Sequence, residues 1–116
     1  MLKPLGLNQS YFFPTDVMLH AFAVGHGVNE GQNFVLRPWQ LTRASAALGG
    51  IAASMKDQLR YARFHQGDGT AEDRTRVSSS ESMRQMQTPC GARELNYKMG
   101  LAWRIQDIDG IRRVSH

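Results

Sequence analysis

Two stretches near the C-terminus alternate apolar and polar residues with the period of a β-strand. The first runs Tyr97-Lys98-Met99-Gly100-Leu101-Ala102-Trp103-Arg104-Ile105, the second Ile111-Arg112-Arg113-Val114-Ser115-His116. Read as one strand, the first stretch puts Tyr97, Met99, Leu101, Trp103 and Ile105 on a single face. Asp109-Gly110 between the stretches predicts a tight turn, because Gly and Asp reach the required backbone conformations at low cost. The closing hairpin therefore spans about residues 96–116 and stops on His116.

From Ser54 the period becomes helical. Ser54 is a good N-cap, and Met55, Leu59 and Ala62 form an apolar row widened by Tyr61 and Phe64. Asp57 in the first turn, with Arg60 and Arg63 later, suits the helix dipole. His65, near the helix end, is explained by the same dipole. Gly67-Asp68-Gly69 stops the helix near Gln66, and residues 67–77 read as a charged surface loop. A second, short helix starts at Ser78 or Ser79, where Ser78-x-x-Glu81 has capping-box spacing. Met83 and Met86 are its expected buried pair, and Thr88-Pro89 ends it.

The N-terminal half is less regular. Residues 2–16 are rich in turn formers, and the aromatic trio Tyr11-Phe12-Phe13 needs a partner surface. A two-stranded unit is expected next: Ala21–Val24 and Asn33–Leu36, joined by the glycine-rich stretch Gly25–Gly31. Residues 37–53 read as irregular.

Composition narrows the function classes. A chain of 116 residues makes one domain at most, and a complete one would bury roughly two thirds of its extended surface. With 41% hydrophobic and 21% charged residues it lies in the globular range. The net charge of +4 comes from 14 basic and 10 acidic residues interleaved along the chain. A nucleic-acid reader clusters its basic residues on one stripe, so a solvated basic surface is expected. Cys90 is the single cysteine, which excludes an intrachain disulfide and a thiolate metal cluster. No apolar run approaches the roughly 18 to 20 residues of a membrane helix. Residues 1–7, broken by Pro4 and Gly6, are too short for a signal peptide, and the compartment stays open.

Four short motifs, in order, carry a family resemblance. Pro4-Leu5-Gly6-Leu7 resembles a Pro-Leu-Gly-Met that closes the helix downstream of a Tyr-x-Asn motif. Gly49-Gly50-Ile51-Ala52-Ala53-Ser54-Met55-Lys56-Asp57-Gln58-Leu59 resembles Gly-Gly-(Ile/Leu)-x-Ser-(Ser/Thr)-x-x-Asp-(Leu/Met)-x-(Arg/Lys), with Ala53 in place of the first Ser and Gln58 in place of Leu or Met. Ser79-Ser80-Glu81-Ser82-Met83-Arg84-Gln85-Met86 resembles Ser-Pro-Glu-Ser-Leu-x-x-Met, with Ser80 for Pro. Gly100-Leu101-Ala102-Trp103 resembles Gly-Leu-Gly-Trp, and His116 falls where a His-Gly-Gly motif would begin. The set resembles the serine β-lactamase and penicillin-binding-protein-like hydrolases, specifically the class C-related branch of esterases and peptidases.

That resemblance implies that residues 1–116 are one partial domain, the segment between the second and third catalytic motifs, truncated at both ends. The family uses a Ser nucleophile with a Lys one helical turn later, in Ser-x-x-Lys. A Tyr from Tyr-x-Asn transfers protons, and a third motif lines the oxyanion site. No Ser here is followed at the third position by Lys, and none of Tyr11, Tyr61 and Tyr97 is followed two residues later by Asn. The third motif keeps only His116, which would border the pocket of the parent enzyme. No catalytic residue is therefore expected in this chain, and no cofactor.

Other readings of single residues are weaker. His20, His26, His65 and His116 fit no common zinc spacing. Gly25, Gly27 and Gly31, or Gly49-Gly50, match neither phosphate-loop nor dinucleotide fingerprints and read as turn glycines. Cys90 lies between a helix stop and Gly91, with no neighbour to activate it. Ser54 and Lys56 lie about 200° apart around a helix and cannot meet there. Trp39 and Trp103 could stack ligands, but alternation favours a packing role for Trp103.

The expected fold is α+β: a partial β-lactamase/transpeptidase-like fold, an antiparallel sheet portion with two helices. Open strand edges and an uncovered apolar face should make the isolated chain weakly stable and prone to self-association. The implied partner of the parent is a small-molecule or peptide acyl substrate, not nucleic acid and not a membrane. The alternative is a small non-catalytic module whose exposed apolar strands pair with a partner protein.

Overall fold

Asp109 and Gly110 both take left-handed backbone angles, with φ of 54° and 76°. They join β7 (Arg104–Ile108) to β8 (Ile111–Ser115), which pair antiparallel from Ile108↔Ile111 out to Arg104↔Ser115. This is the two-residue connection that matches strand twist, and the Gly110 N–H donates to Asp107 Oδ1 at 3.0 Å. The structure, a computed structural model, describes residues 1–38, 42, 44, 46–90, 93–94 and 97–116. Trp39, Gly91 and the expected hairpin start at residue 96 lie outside the described residues.

β5 (Arg93–Glu94) and β6 (Tyr97–Met99) complete a four-stranded antiparallel sheet in the order β5-β6-β7-β8. The stretch from Tyr97 to Ile105, expected as one strand, is two. It folds back at Gly100–Trp103, so that Lys98 pairs with Ile105 and Met99 with Arg104. Ala102 takes φ 61°, and the Gly100 N–H donates to the Trp103 carbonyl at 2.8 Å. Gly100 is needed for close approach: a Cβ there would lie 2.5 Å from the Met86 carbonyl oxygen. The turn breaks the alternation, leaving Leu101 exposed while Ile105 is buried.

The first long helix is α3 (Met55–Gln66), as the caps foretell, and α4 spans Ser80–Met86. Ser79, not Ser78, caps α4 by accepting from the Ser82 N–H at 3.0 Å. Glu81 makes no capping box; it pairs with Arg84 and Gln85. Met83 is buried and Met86 half-buried. On α3 the buried face differs from the expected one. Asp57, Phe64 and His65 are buried, whereas Met55 is 70% and Leu59 53% exposed, and Ala62 is exposed too. The reason is tertiary: Leu5, Leu7, Ala71 and Met83 assemble with Phe64, and Leu2, Tyr61 and Val77 pack around them. The loop after α3 is thus partly core, with Ala71 inserted and Thr70 bridged to Arg76. Hydrogen bonds from Thr70 and Arg76 hold the Asp68 carboxyl down to about 2.

Two smaller two-stranded sheets precede α3. β1 (Ser10–Tyr11) pairs antiparallel with β4 (Ala52–Ala53). One-turn helices α1 (Pro14–Val17) and α2 (Ala46–Gly49) lie between them in sequence. β2 (His26–Asn29) pairs with β3 (Gln32–Val35). The first strand of this hairpin is therefore displaced from the expected 21–24. Glu30 and Gly31, at φ 49° and 80°, close a two-residue turn where a longer loop was expected.

The chain is open for its size. Its radius of gyration is 17.0 Å, against about 13 Å for a compact domain of this length. Its accessible surface is 9279 Å², against about 6,300 Å² expected from its mass. Among the described residues, no helix is long and apolar enough to cross a membrane.

Candidate functional site

Ser54 and Asp57 tie the start of α3 to β1. The Ser54 Oγ accepts from the Asp57 N–H at 3.2 Å, which satisfies a helix N–H that has no intrahelical partner. Asp57, 2% exposed, turns its carboxylate the other way. Its Oδ2 accepts from the Gln9 N–H at 2.7 Å and from the Ser10 hydroxyl at 2.8 Å. The Ser54 N–H donates to the Gln9 carbonyl at 3.0 Å, so both backbone groups of Gln9 are held. Ser54→Ala should cost about 1 kcal/mol of stability, the usual value of an N-cap hydroxyl; a shift in the urea midpoint with unchanged slope would measure it.

This junction forms one wall of an open cleft of about 800 Å³. Gln9, Tyr11, Ala53 and Ser54 line one side, and His20, Phe22 and Leu36 contribute to the rest. Tyr11 and His20 stack with ring centroids 4.8 Å apart and planes 20° from parallel. The aromatic trio thus finds part of the surface its sequence required. The cleft offers flat aromatic faces and backbone groups. The Ser54 hydroxyl of the cleft and the neighbouring Ser10 hydroxyl are engaged in the clamp, and among the described residues no serine hydroxyl is hydrogen-bonded to a lysine or histidine. A second open cleft, about 860 Å³, lies between α4 and the sheet, lined by Arg84, Gln87, Lys98 and Arg112 among others.

His65 does not fit the dipole explanation. Its ring is 8% exposed and packs against Tyr61 (4.4 Å between centroids), Phe64 (5.2 Å) and Trp103 (5.0 Å). Burial pushes its pKa down, favouring the neutral ring, whereas dipole complementarity requires the cation. Trp103 is half-buried against it, as alternation suggested, although through a turn and not a strand.

Other sequence-marked residues scatter. His116, the pocket-bordering candidate, is exposed after β8 and lines neither cleft. Cys90 is exposed and free. Among the described residues, no group of three or more His, Cys, Asp or Glu side chains is placed to share a metal ion. The residues that sequence reasoning undervalued are Asp57, credited only with a dipole role, and the Tyr11–His20 pair. For Asp57 a signal existed: it stands at the acidic position of the Gly-Gly motif, three residues after its cap. Nothing local links Tyr11 to His20.

The described architecture is α+β, a four-stranded antiparallel sheet with helices, in which capped α3 is tied to the upstream strand β1. Over 100% of its length the chain resembles 26% of an octameric penicillin-binding protein homologue from Pyrococcus abyssi, with a TM-score of 0.77 and 25% identity. It is also 32% identical, over 123 aligned positions, to penicillin-binding protein 4 of Amycolatopsis lactamdurans. That match takes in 100% of this chain and 32% of the relative. No protein-family model matches. The chain is a distant, partial homologue of the penicillin-binding-protein fold family, spanning about a third of the curated relative's length.

Proposed function

We propose that residues 1–116 form the scaffold between the second and third catalytic motifs of a β-lactamase-related serine hydrolase, in the class C-related branch of esterases and peptidases. The parent cleaves an amide or ester through an acyl-enzyme, and His116 borders its pocket. The 116-residue chain alone does not turn over acyl substrates.

One observation carries the reading. The whole chain matches a quarter of a penicillin-binding protein homologue, yet its accessible surface of 9279 Å² exceeds that of a compact domain by about 3,000 Å². That excess is the size of an obligate interface. It includes the Met55 and Leu59 row that the sequence marks as buried and the exposed Ile111 on edge strand β8. In the parent, neighbouring segments of the fold cover these surfaces; alone, the chain self-associates through them.

The test is expression of the chain with the polypeptide encoded on either side of it. The extended protein should hydrolyse a chromogenic cephalosporin or ester, and replacing the Ser of its Ser-x-x-Lys by Ala should abolish turnover. Flanks without Ser-x-x-Lys and Tyr-x-Asn would overturn the reading. So would a defined stoichiometric complex of residues 1–116 with an unrelated protein, which favours a binding module.

A further inference from the structure

His65 sits where α3 meets the Gly100–Trp103 turn of the sheet. Its ring touches Trp103 from the Gly100–Trp103 turn as well as Tyr61 and Phe64 from its own helix. Among the described residues neither Nδ1 nor Nε2 has a hydrogen-bond partner, and the buried Trp103 Nε1 has none either. A neutral imidazole tolerates such a pocket, because its carbon edges pack like any aromatic ring. An imidazolium does not, since it would be a buried charge with two unsatisfied donors.

We propose that His65 is an acid-operated latch between α3 and the sheet, docked on Trp103 while neutral and released when protonated. Among the described residues, the groups facing it carry no compensating charge. From α3 these are Tyr61 and Phe64, and from the sheet's turn Trp103. From the end of α4 comes Gln87, whose amide donates to the His65 carbonyl at 2.7 Å. Of these only Tyr61 titrates, and burial raises its phenol further, so it stays neutral. Burial is the sole cause of the downward shift at His65, with no ionised neighbour contributing.

Release is local. The sheet stays attached to α4 by Leu101 N–H to the Met86 carbonyl (2.9 Å) and by Arg112 to the Gln87 carbonyl. Acid therefore frees the Trp103 side chain from α3 while the turn backbone and β8 remain on α4. The sign follows from linkage. The folded pKa lies below the ordinary value of about 6.5, so the released state takes up a proton that the docked state resists. Docking is fully favoured above about pH 6.5, weakens as pH falls through that value, and levels off below the lower folded pKa.

The experiment is an NMR titration of the whole chain from pH 8 to pH 5, following the His65 ring protons and the Trp103 indole, the latter distinguished with Trp39→Phe. The two signals should titrate together with a midpoint below about 6.5, the opening constant rising about tenfold per pH unit within the window. His65→Phe should hold the Trp103 signal constant across the range. An indole unmoved while His65 titrates would overturn the latch. Equal movement of Trp103 in His65→Phe would overturn it too. If that variant fails to fold, coincidence of the two wild-type titrations decides.

Discussion

Asp57→Ala should lower the unfolding free energy by about 3 kcal/mol or more, read as a lower urea midpoint at unchanged slope. The carboxylate is almost completely enclosed and accepts from two groups of the upstream strand, Gln9 N–H and Ser10 Oγ–H. Truncation leaves the buried Ser10 hydroxyl and the part-buried Gln9 N–H without an acceptor, at about 1–3 kcal/mol for a fully buried group and less for a partly buried one. It also loosens β1 against α3, leaving the Ser54 N–H to Gln9 carbonyl bond and the pairing with β4 to hold the cleft wall that carries Tyr11. Asp57→Asn should cost less, because an amide oxygen still accepts, though without the strength that charge lends. Ser10→Ala removes a single donor and should cost about 1 kcal/mol. Equal losses for Ser10→Ala and Asp57→Ala would show that the Gln9 bond contributes nothing.

Gly69→Ala should be comparably severe, with a loss of about 3 kcal/mol or more. Gly69 has φ 90°, where an L side chain is strained. An added Cβ would collide with the Ser78 carbonyl oxygen, lie 2.9 Å from its carbon and 3.2 Å from Met83 Cγ. The collision is with backbone, so relief requires moving the loop segment whose Val77 and Ser78 N–H groups bond the Gly69 carbonyl. Gly31→Ala isolates the conformational part: φ is 80° and nothing lies within 4 Å. That variant should lose only about 1 kcal/mol. Thermal melts of the two variants separate strain from collision, and a mild effect at Gly69 would mean that the Ser78 segment yields readily.

The elements that were legible in sequence are those fixed by local chemistry. Ser54 and Asp57 set the start of α3, Gly67 its end, and Asp109-Gly110 the last hairpin, because each acts on its own few residues of backbone. What escaped was decided at longer range. Alternation from Tyr97 to Ile105 is compatible with one strand or with two folded together, and the difference lies in Gly100's approach to Met86. The apolar row Met55, Leu59 and Ala62 satisfies helix periodicity, but Leu5, Leu7 and Met83 come to the face holding Phe64 and His65. A dipole argument for His65 ignored Trp103, which arrives from 38 positions downstream and excludes water. Asp57 was visible as a helix residue and invisible as a clamp, since its acceptor role depends on a strand 47 residues earlier. The family motifs, by contrast, were readable without any of these contacts.

Under the proposed function, this chain supplies scaffold while the acyl-transferring groups lie in other parts of the fold. Intact mass of the purified 116-residue chain after incubation with an acylating β-lactam tests it most directly. The mass should be unchanged at any exposure time, while the flank-extended protein gains one acyl group. A stoichiometric adduct on a serine of residues 1–116 would contradict the account.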